Sequence, residues 1–429
     1  MKVHFLGIGG SGTSAAAAIA EAQGFKITGC DLEPFNEFTT PFKKSQIFKG
    51  HNPKHLACNL EGCNVDILAV TPAIFSLDPQ NPELLAAKEK GIPTMTWQQF
   101  LGKYLTNNKF VIAVGGTHGK TTTTAMIAKM LEDAKLDPTV ELGAIVPWWK
   151  ANYRVGKGKY FVVEADEFND NFLAIKPDIS VVTNIEMDHP EYFKDFQAVK
   201  ASFKKFLKST KKAIIANQSD PGVKQTLNAQ TRSVYSIVDY SKHLIDFPLQ
   251  ISGQFNRWNA SAAYQVGLAL KIDSQTIRKS LITYPGIGRR FEYIGKFRGA
   301  EVYSDFGHHP TEIKTTMQAA REKFPDQRLI LVYEPHMFSR TKALFDDFVK
   351  VFKKIPVDEI IITDIYPSRE VDIGLVSPQQ LVNAVGDDRL VYHSKSDLKK
   401  VLKNQVRKGD ILFFMGAGDI DKYARELPS

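Results

Sequence analysis

The sequence is poor in cysteine. Only Cys30, Cys58 and Cys63 occur among 429 residues, an odd number with no Cys-x-x-Cys pair. That excludes a disulfide-stapled secreted scaffold, and reduced thiols are expected. Long apolar runs are also missing. None reaches the roughly 18 residues of a membrane-spanning helix, so no membrane partner is expected. Gly7 breaks the strand-like run at residues 1–6, which does not read as a signal peptide. Dense basic patches are scarce, although the net charge is +8. The lysines are scattered. Their densest group, residues 203–212, reads as the solvated face of an amphipathic helix, so no nucleic acid is expected as a partner. A cytoplasmic protein, monomeric or weakly dimeric, is the expectation.

What is present is a globular composition, 43% hydrophobic and 24% charged, in a chain long enough for about three domains. The stretch that organises it is Val111-Ile-Ala-Val-Gly-Gly-Thr-His-Gly-Lys-Thr-Thr-Thr-Thr124. Residues 111–114 form a β-branched apolar run, which predicts a buried strand. Ile127, Leu131 and Ala134 recur at helical spacing and predict a helix over 121–134. The glycines between them let backbone approach a phosphate, and the amides at the helix start point toward it. Lys120 adds a charge for the β- and γ-phosphates, and Thr121 a hydroxyl for Mg²⁺. The loop is shorter than the general P-loop, since Val114 stands where that pattern has glycine.

Ahead of this lies a first α/β region. A strand at 3–6 leads into Gly7-Ile-Gly-Gly-Ser-Gly12, then an alanine-rich helix at 14–23 and a strand at 25–30 ending at Asp31. Gly7, Gly9 and Gly12 with Asp31 fit a dinucleotide fingerprint. The physical content is a diphosphate on a helix N-terminus and a ribose near an acid, which suits UDP as well as NAD. Residues 65–70 are another strand, followed by Thr71, and residues 83–90 a helix.

Beyond the phosphate loop, residues 160–167 form a strand ending in Glu164, Asp166 and Glu167. Acids there lie where an open α/β sheet binds ligands. Glu164 is the metal candidate; Asp166 and Glu167 either cap the next segment or face solvent. A strand at 179–183 leads to Asp188 and His189, where His189 is a further metal candidate. A helix opening at Gly253 carries Asn256 and Asn259, which either approach a nucleotide base or cap the helix. The last region has strands at 301–304, 328–332, 360–363 and 411–415, with chemistry-capable loops at 305–312, 334–340 and 416–419. The pair His308-His309 suggests zinc, but without a cysteine nearby that reading is not favoured.

These blocks together resemble the Mur ligases, the ATP-dependent amide-forming enzymes of peptidoglycan synthesis. The residues that carry the likeness are Gly7–Gly12, Gly116-Thr-His-Gly-Lys-Thr-Thr-Thr-Thr124, Glu164-Ala-Asp-Glu167, Thr183-Asn-Ile-Glu186 with Asp188-His189, Gly288-Arg-Arg-Phe291, Asp305-Phe-Gly-His-His-Pro-Thr-Glu312, and Pro335-His336 with Arg340. The short phosphate loop is also the family's form. The resemblance implies an α/β fold of three domains. These are a Rossmann-like UDP-binding domain over 1–107, a P-loop ATPase-type domain over 108–293 and a C-terminal Rossmann-like domain over 294–429. It implies ATP and Mg²⁺, with UDP-N-acetylmuramate and L-alanine as small-molecule substrates joined through an acyl phosphate. A relative that attaches a whole tripeptide is the alternative.

By the same resemblance Gly7, Gly9, Gly10, Ser11, Gly12, Asp31 and Thr71 would hold the UDP-sugar. Gly116, Thr117, His118, Gly119, Lys120, Thr121, Thr122, Asn256, Asn259, Arg290 and Asp305 would hold ATP. Thr121 and Glu164 would ligate one Mg²⁺ and His189 a second. Lys120, Glu164, His189 and His308 would be catalytic, while His308, His336 and Arg340 would meet substrate. The sequence departs from the family pattern in two ways here. Met337 stands where arginine is usual, with Lys342 and Arg369 as candidate replacements for the lost cation, and Glu334 replaces a glutamine. Several members carry a carbamylated lysine; Phe203 stands near that position, with Lys200 close by.

Overall fold

A computed structural model describes residues 1–56, 64–227, 236–368 and 370–427. Cys58, Cys63 and Arg369 lie outside the described residues. The fold is α/β, built on three sheets. The first is wholly parallel, with strands β1 (Lys2–Leu6), β2 (Lys26–Asp31), β3 (Ile47–Lys49), β4 (Ile67–Val70) and β5 (Thr94–Thr96) in the order β3-β2-β1-β4-β5. The order reverses between β1 and β4, so the loops after these two strands flank the ligand crevice of such a sheet. The helix Ser11–Ala22 follows the glycine loop; its alanines are buried. It starts three residues before the predicted position, because Gly10 already serves as its N-cap.

The second sheet contains β6 (Phe110–Gly115), β7 (Thr139–Val146), β8 (Ala151–Arg154), β9 (Tyr160–Glu164), β10 (Ile179–Val182), β11 (Ala213–Ala216) and β12 (Ser236–Asp239). Its order is β12-β11-β10-β6-β9-β7-β8, and only β7 and β8 pair antiparallel. The phosphate loop leaves β6 in the middle, between the ends of β9 and β10. The lysine-rich segment 203–212 begins in helix Phe196–Lys208, whose Phe203, Phe206 and Leu207 are buried, and runs four residues past its end. Phe203 packs edge-on to Phe172, and the Lys200 ammonium donates to Gln225 Oε1 at 2.7 Å.

The third sheet contains β13 (Glu292–Phe297), β14 (Ala300–Asp305), β15 (Leu329–Tyr333), β16 (Glu359–Ile362), β17 (Leu390–Tyr392) and β18 (Ile411–Met415), ordered β13-β14-β18-β15-β16-β17. Only β13 and β14 are antiparallel. Alternate residues of β15 and β18 enter opposite cores. Leu331, Tyr333 and Phe413 pack with Phe348 and Phe352 on one face, and Val332, Leu412 and Phe414 pack with Leu398 and Leu402 on the other. Burial on both faces is why these strands read as continuous apolar runs.

Contacts group the described residues into two compact units. One comprises 1–186, 196–245 and 259–281 and holds the first two sheets; the other comprises 187–195, 246–258 and 282–429 and holds the third. Within the first unit, Asn152 on β8 donates to Ser11 O at 2.6 Å, which ties the second sheet to the glycine loop of the first.

Candidate active site

The phosphate loop is the centre of the first unit. Gly116 and Gly119 have φ of 137° and 83°. A Cβ at Gly116 would lie 2.0 Å from Thr183 Oγ1, and one at Gly119 would lie 2.5 Å from Asn259 Oδ1. Only glycine serves at both. The end of β10 holds the loop from the other side. His118 N donates to Asn184 Oδ1 at 2.8 Å, Thr117 N to Asn184 O at 3.0 Å, and Thr183 Oγ1 to His118 O at 2.6 Å. Thr122 is buried in the first turn of the helix Lys120–Asp133, behind the loop. Asn259 thus meets the phosphate loop from within helix Gln254–Ala269 and is not a cap of that helix.

Lys120 Nζ donates to Glu167 Oε2 at 2.8 Å. Burial alone would lower its pKa, but the charges of Glu167 and Asp166 outweigh burial and raise it. Glu167 stands at the N-cap of the next turn, but its side chain makes no capping bond and does not face solvent: it is a buried partner of the loop lysine. Next to it, Thr121 Oγ1 donates to Glu164 Oε1 at 2.8 Å, while Gly143 N donates to Glu164 Oε2 at 2.8 Å. A hydroxyl and a carboxylate this close are hard oxygen donors of the kind Mg²⁺ takes. The sequence reading missed Glu141 on β7. It is 2% exposed, and its Oε2 has no hydrogen-bond partner among the described residues. Burial first, then the charges of Glu164 and Asp166, push its carboxyl well above the usual range. A single acid inside the apolar run of β7 was the available signal.

In the first sheet, Gly7 has φ of 86° and its hydrogen faces Thr71, whose Cγ2 would lie 2.5 Å from a Cβ there. Thr71 follows β4, so the two loops meet at the switch point. Gly10 N donates back to Gly7 O at 3.1 Å, and Gly12 packs against the Trp97 ring. Asp31 Oδ2 accepts from Gly9 N at 3.0 Å. The acid expected at a ribose thus also shapes the glycine loop.

The second unit gathers a polar cluster around Arg340, which is 2% exposed. Its Nη2 lies 3.1 Å from both Asp188 Oδ1 and His189 Nδ1, and its Nη1 lies 3.2 Å from His336 Nδ1. Burial opposes ionisation of Asp188, but His189 and Arg340 hold its carboxyl far below the usual range. His189 Nδ1 also lies 3.1 Å from Glu191 Oε1. A metal-ligand role for His189 would therefore fall to Nε2. The His308 ring lies tilted against that of His336, centroids 5.4 Å apart, and its backbone N donates to Glu312 Oε2 at 2.9 Å. Burial, then Arg340, lower the His308 pKa to about 4, so its ring is neutral at physiological pH.

Asp305 accepts from Gly307 N and Phe291 N, each at 2.8 Å, and burial raises its carboxyl to about 6. It braces the loop on which Arg290 lies over the Phe306 ring, with Glu312 4.0 Å away. Asn256 Nδ2 donates to Ser252 O at 2.7 Å. Met337, which stands where the family pattern has arginine, is 3% exposed with φ of 66° and ψ of 136°. Glu334 is fully buried beside Lys395, and burial lifts its carboxyl to about 7. Glu312 was overlooked as an organiser, although His309-x-x-Glu312 is a capping-box pattern at a helix start.

Comparison with known proteins agrees with this geometry. Profiles described as "Mur ligase family, catalytic domain", "Mur ligase middle domain" and "Mur ligase, glutamate ligase domain" match residues 2–109, 114–246 and 289–418 in turn. The UDP-N-acetylmuramate–L-alanine ligase of Aquifex aeolicus is 34% identical, over 99% of this chain and 97% of its own length. That of Clostridium acetobutylicum is 35% identical, over 98% and 96%. The crystal structure of the UDP-N-acetylmuramate-alanine ligase of Thermotoga maritima matches with a TM-score of 0.78 and 26% identity, covering 100% of this chain and 98% of that one. With a phosphate loop, a strand-end carboxylate and a nucleotide-type glycine loop each on its expected sheet, the chain belongs to the Mur ligase family.

Proposed function

We propose that this chain joins L-alanine to the carboxylate of UDP-N-acetylmuramate at the expense of ATP. The observation that carries the chemistry is the phosphate loop, where Lys120 stands beside Thr121 and Glu164. The substrates rest on the named relatives above. The working domains are 1–107 for the UDP-sugar, 108–293 for ATP and 294–429 for the incoming amino acid. Among the described residues no helix is long and apolar enough to cross a membrane. Use of ATP and a nucleotide sugar fits a cytoplasmic setting.

A carboxylate oxygen of the sugar attacks the γ-phosphorus, and the bond to the β-phosphate oxygen breaks, releasing ADP. The alanine nitrogen then attacks the acyl carbon, the carbon–oxygen bond breaks and phosphate leaves. Three anionic centres crowd the first step, so fixed positive charge aimed at the transferring group is the main contribution required. Lys120 supplies it from the chain. Thr121 and Glu164 are the residues suited to Mg²⁺, which when bound neutralises phosphate charge. His308, kept neutral, is the base we assign to the ammonium proton of alanine. Phosphate release with UDP-N-acetylmuramate and a panel of amines tests the reading. Release that depends on L-alanine supports it. Release only with a tripeptide assigns the recycling reaction instead, and turnover with neither substrate contradicts both.

A further inference from the structure

The first sheet carries a knot of buried side chains that the glycine loop does not use. His4 comes from β1, Cys30 from β2, His55 from the turn Pro53–Leu56 and Glu83 from the helix Pro82–Glu89. His4, Cys30 and Glu83 are fully buried, and the His55 ring is 15% exposed. One donor atom from each lies within 4.8 Å of all the others. His4 Nε2 is 3.4 Å from Cys30 Sγ and 3.1 Å from Glu83 Oε2. Cys30 Sγ is 3.2 Å from Glu83 Oε1, and His55 Nδ1 is 2.8 Å from that same oxygen.

An ordinary hydrogen-bonded cluster accounts poorly for this arrangement. A thiol has one proton to give, yet the Cys30 sulfur is met by His4, by both oxygens of Glu83 and by His51 Nδ1 at 3.3 Å. Glu83 is met by two imidazoles, the thiol and Asn52 N–H, with no permanent cation among these partners. A fully buried carboxylate without a matching charge is costly. A divalent ion removes both difficulties. With thiolate and carboxylate it makes a neutral site, and the two imidazoles stay uncharged. Tetrahedral zinc, with bonds of about 2.0–2.3 Å, sets its ligand atoms roughly 3.3–3.8 Å apart. Of the separations observed, 3.4 Å falls within that range and 2.8, 3.1 and 3.2 Å are shorter, so a bound ion would spread the four side chains slightly.

We propose that His4, Cys30, His55 and Glu83 form a closed, four-coordinate site for a borderline-soft divalent metal, with zinc the fitting ion. Four protein ligands leave no open position, so the role is structural. His51 lies beside the sulfur as a hydrogen-bond donor to it. The location gives the site a purpose. Cys30 O accepts from Gly7 N at 2.8 Å and Ile8 N at 3.1 Å, and the next residue, Asp31, holds Gly9 N. The metal therefore fixes the strand end from which the glycine loop hangs. Its four ligands tie a turn and a helix, which lie outside the sheet's pairing, to the paired strands β1 and β2.

The full-length protein, stripped with chelator and titrated with Co²⁺ in excess Mg²⁺, tests this. Mg²⁺ keeps the probe from the oxygen ligands of the phosphate loop. The expected result is about one Co²⁺ per chain, with intense visible bands of tetrahedral cobalt and a near-ultraviolet sulfur-to-cobalt band. Zn²⁺ should abolish both on addition. Cys30→Ser should lose the sulfur band, and Glu164→Gln should keep it. If Cys30→Ser does not fold, His55→Ala, on the exposed side, should bind Zn²⁺ at least tenfold more weakly than the parent. No sulfur band in the parent overturns the proposal. So does a band that survives in Cys30→Ser, or unchanged Zn²⁺ affinity in His55→Ala.

Discussion

The Lys120 ammonium lies 2.8 Å from the Glu167 carboxylate, and both side chains are largely buried. Each charge is therefore the other's partner while no phosphate is present. Lys120→Met should remove the ammonium facing the buried Glu167 carboxylate and lower stability by about 3–5 kcal/mol, as when one half of a buried pair is removed. Adding Glu167→Gln should recover most of that loss. Turnover should not recover, because the charge on the transferring phosphoryl group is still missing, a loss of roughly 10²–10³-fold. Denaturant midpoints and phosphate release on both variants separate the two roles. A double variant that regained activity would show that Lys120 acts only on Glu167.

Glu164 and Thr121 share one hydrogen bond, and Gly143 N holds the second oxygen of the carboxylate. The side chain is thus pinned in place for an ion. Glu164→Gln keeps its shape but weakens a hard-cation ligand. The Mg²⁺ concentration for half-maximal rate should rise severalfold or more, and Thr121→Val should raise it less. An unchanged Mg²⁺ dependence in Glu164→Gln would take the carboxylate out of the ion's coordination.

Glu141 gives a pH signature. Burial and its acidic neighbours raise its carboxyl well above the ordinary value of 4.5. The folded chain then holds a proton that the unfolded chain releases above that value. Its contribution to stability accordingly falls as pH rises from about 4.5 toward the raised folded value. Glutamine carries no such penalty. Glu141→Gln should match the parent near pH 4 and become progressively more stable than it toward pH 8, as read from urea unfolding at a series of pH values. A constant difference between the two proteins across that range would mean that Glu141 does not fold as the acid.

The sequence was legible where local pattern and burial agree. Residues 411–415 and the strand, loop and helix around 111–134 were assigned correctly because strands buried on both faces are continuous apolar runs, and because glycines interrupt the run where the helix begins. Strands β8, β12 and β17 were among those that went unseen, since short, half-polar edge strands carry little periodicity; the interior strands β7 and β11 went unseen as well. What pairs across the fold was invisible too. Asp188 finds Arg340, and His4 finds Glu83, only after sheets with long crossovers have formed. Residue type marked Glu167 as an acid at a strand end, but not as the partner of Lys120. Motif position does not reveal which side chains turn inward either: Met337, judged by its place in a motif, is buried.

Met337 provides the last test. Its side chain is buried, its N donates to Tyr366 O at 2.9 Å, and its backbone has positive φ just before helix Phe338–Ala343. Arg340, one turn on, already supplies a guanidinium, and Asp188 and His336 engage it. Met337→Arg would drive a longer, charged side chain into a packed space beside that cation. Overpacking alone costs about 1–3 kcal/mol, and the like charge adds to it. The expected outcome is a lower unfolding midpoint with no fall in KM for either the sugar nucleotide or L-alanine. Met337→Leu, of similar volume, should leave both nearly unchanged. A several-fold fall in either KM for Met337→Arg, at parental stability, would show instead that this side chain reaches substrate.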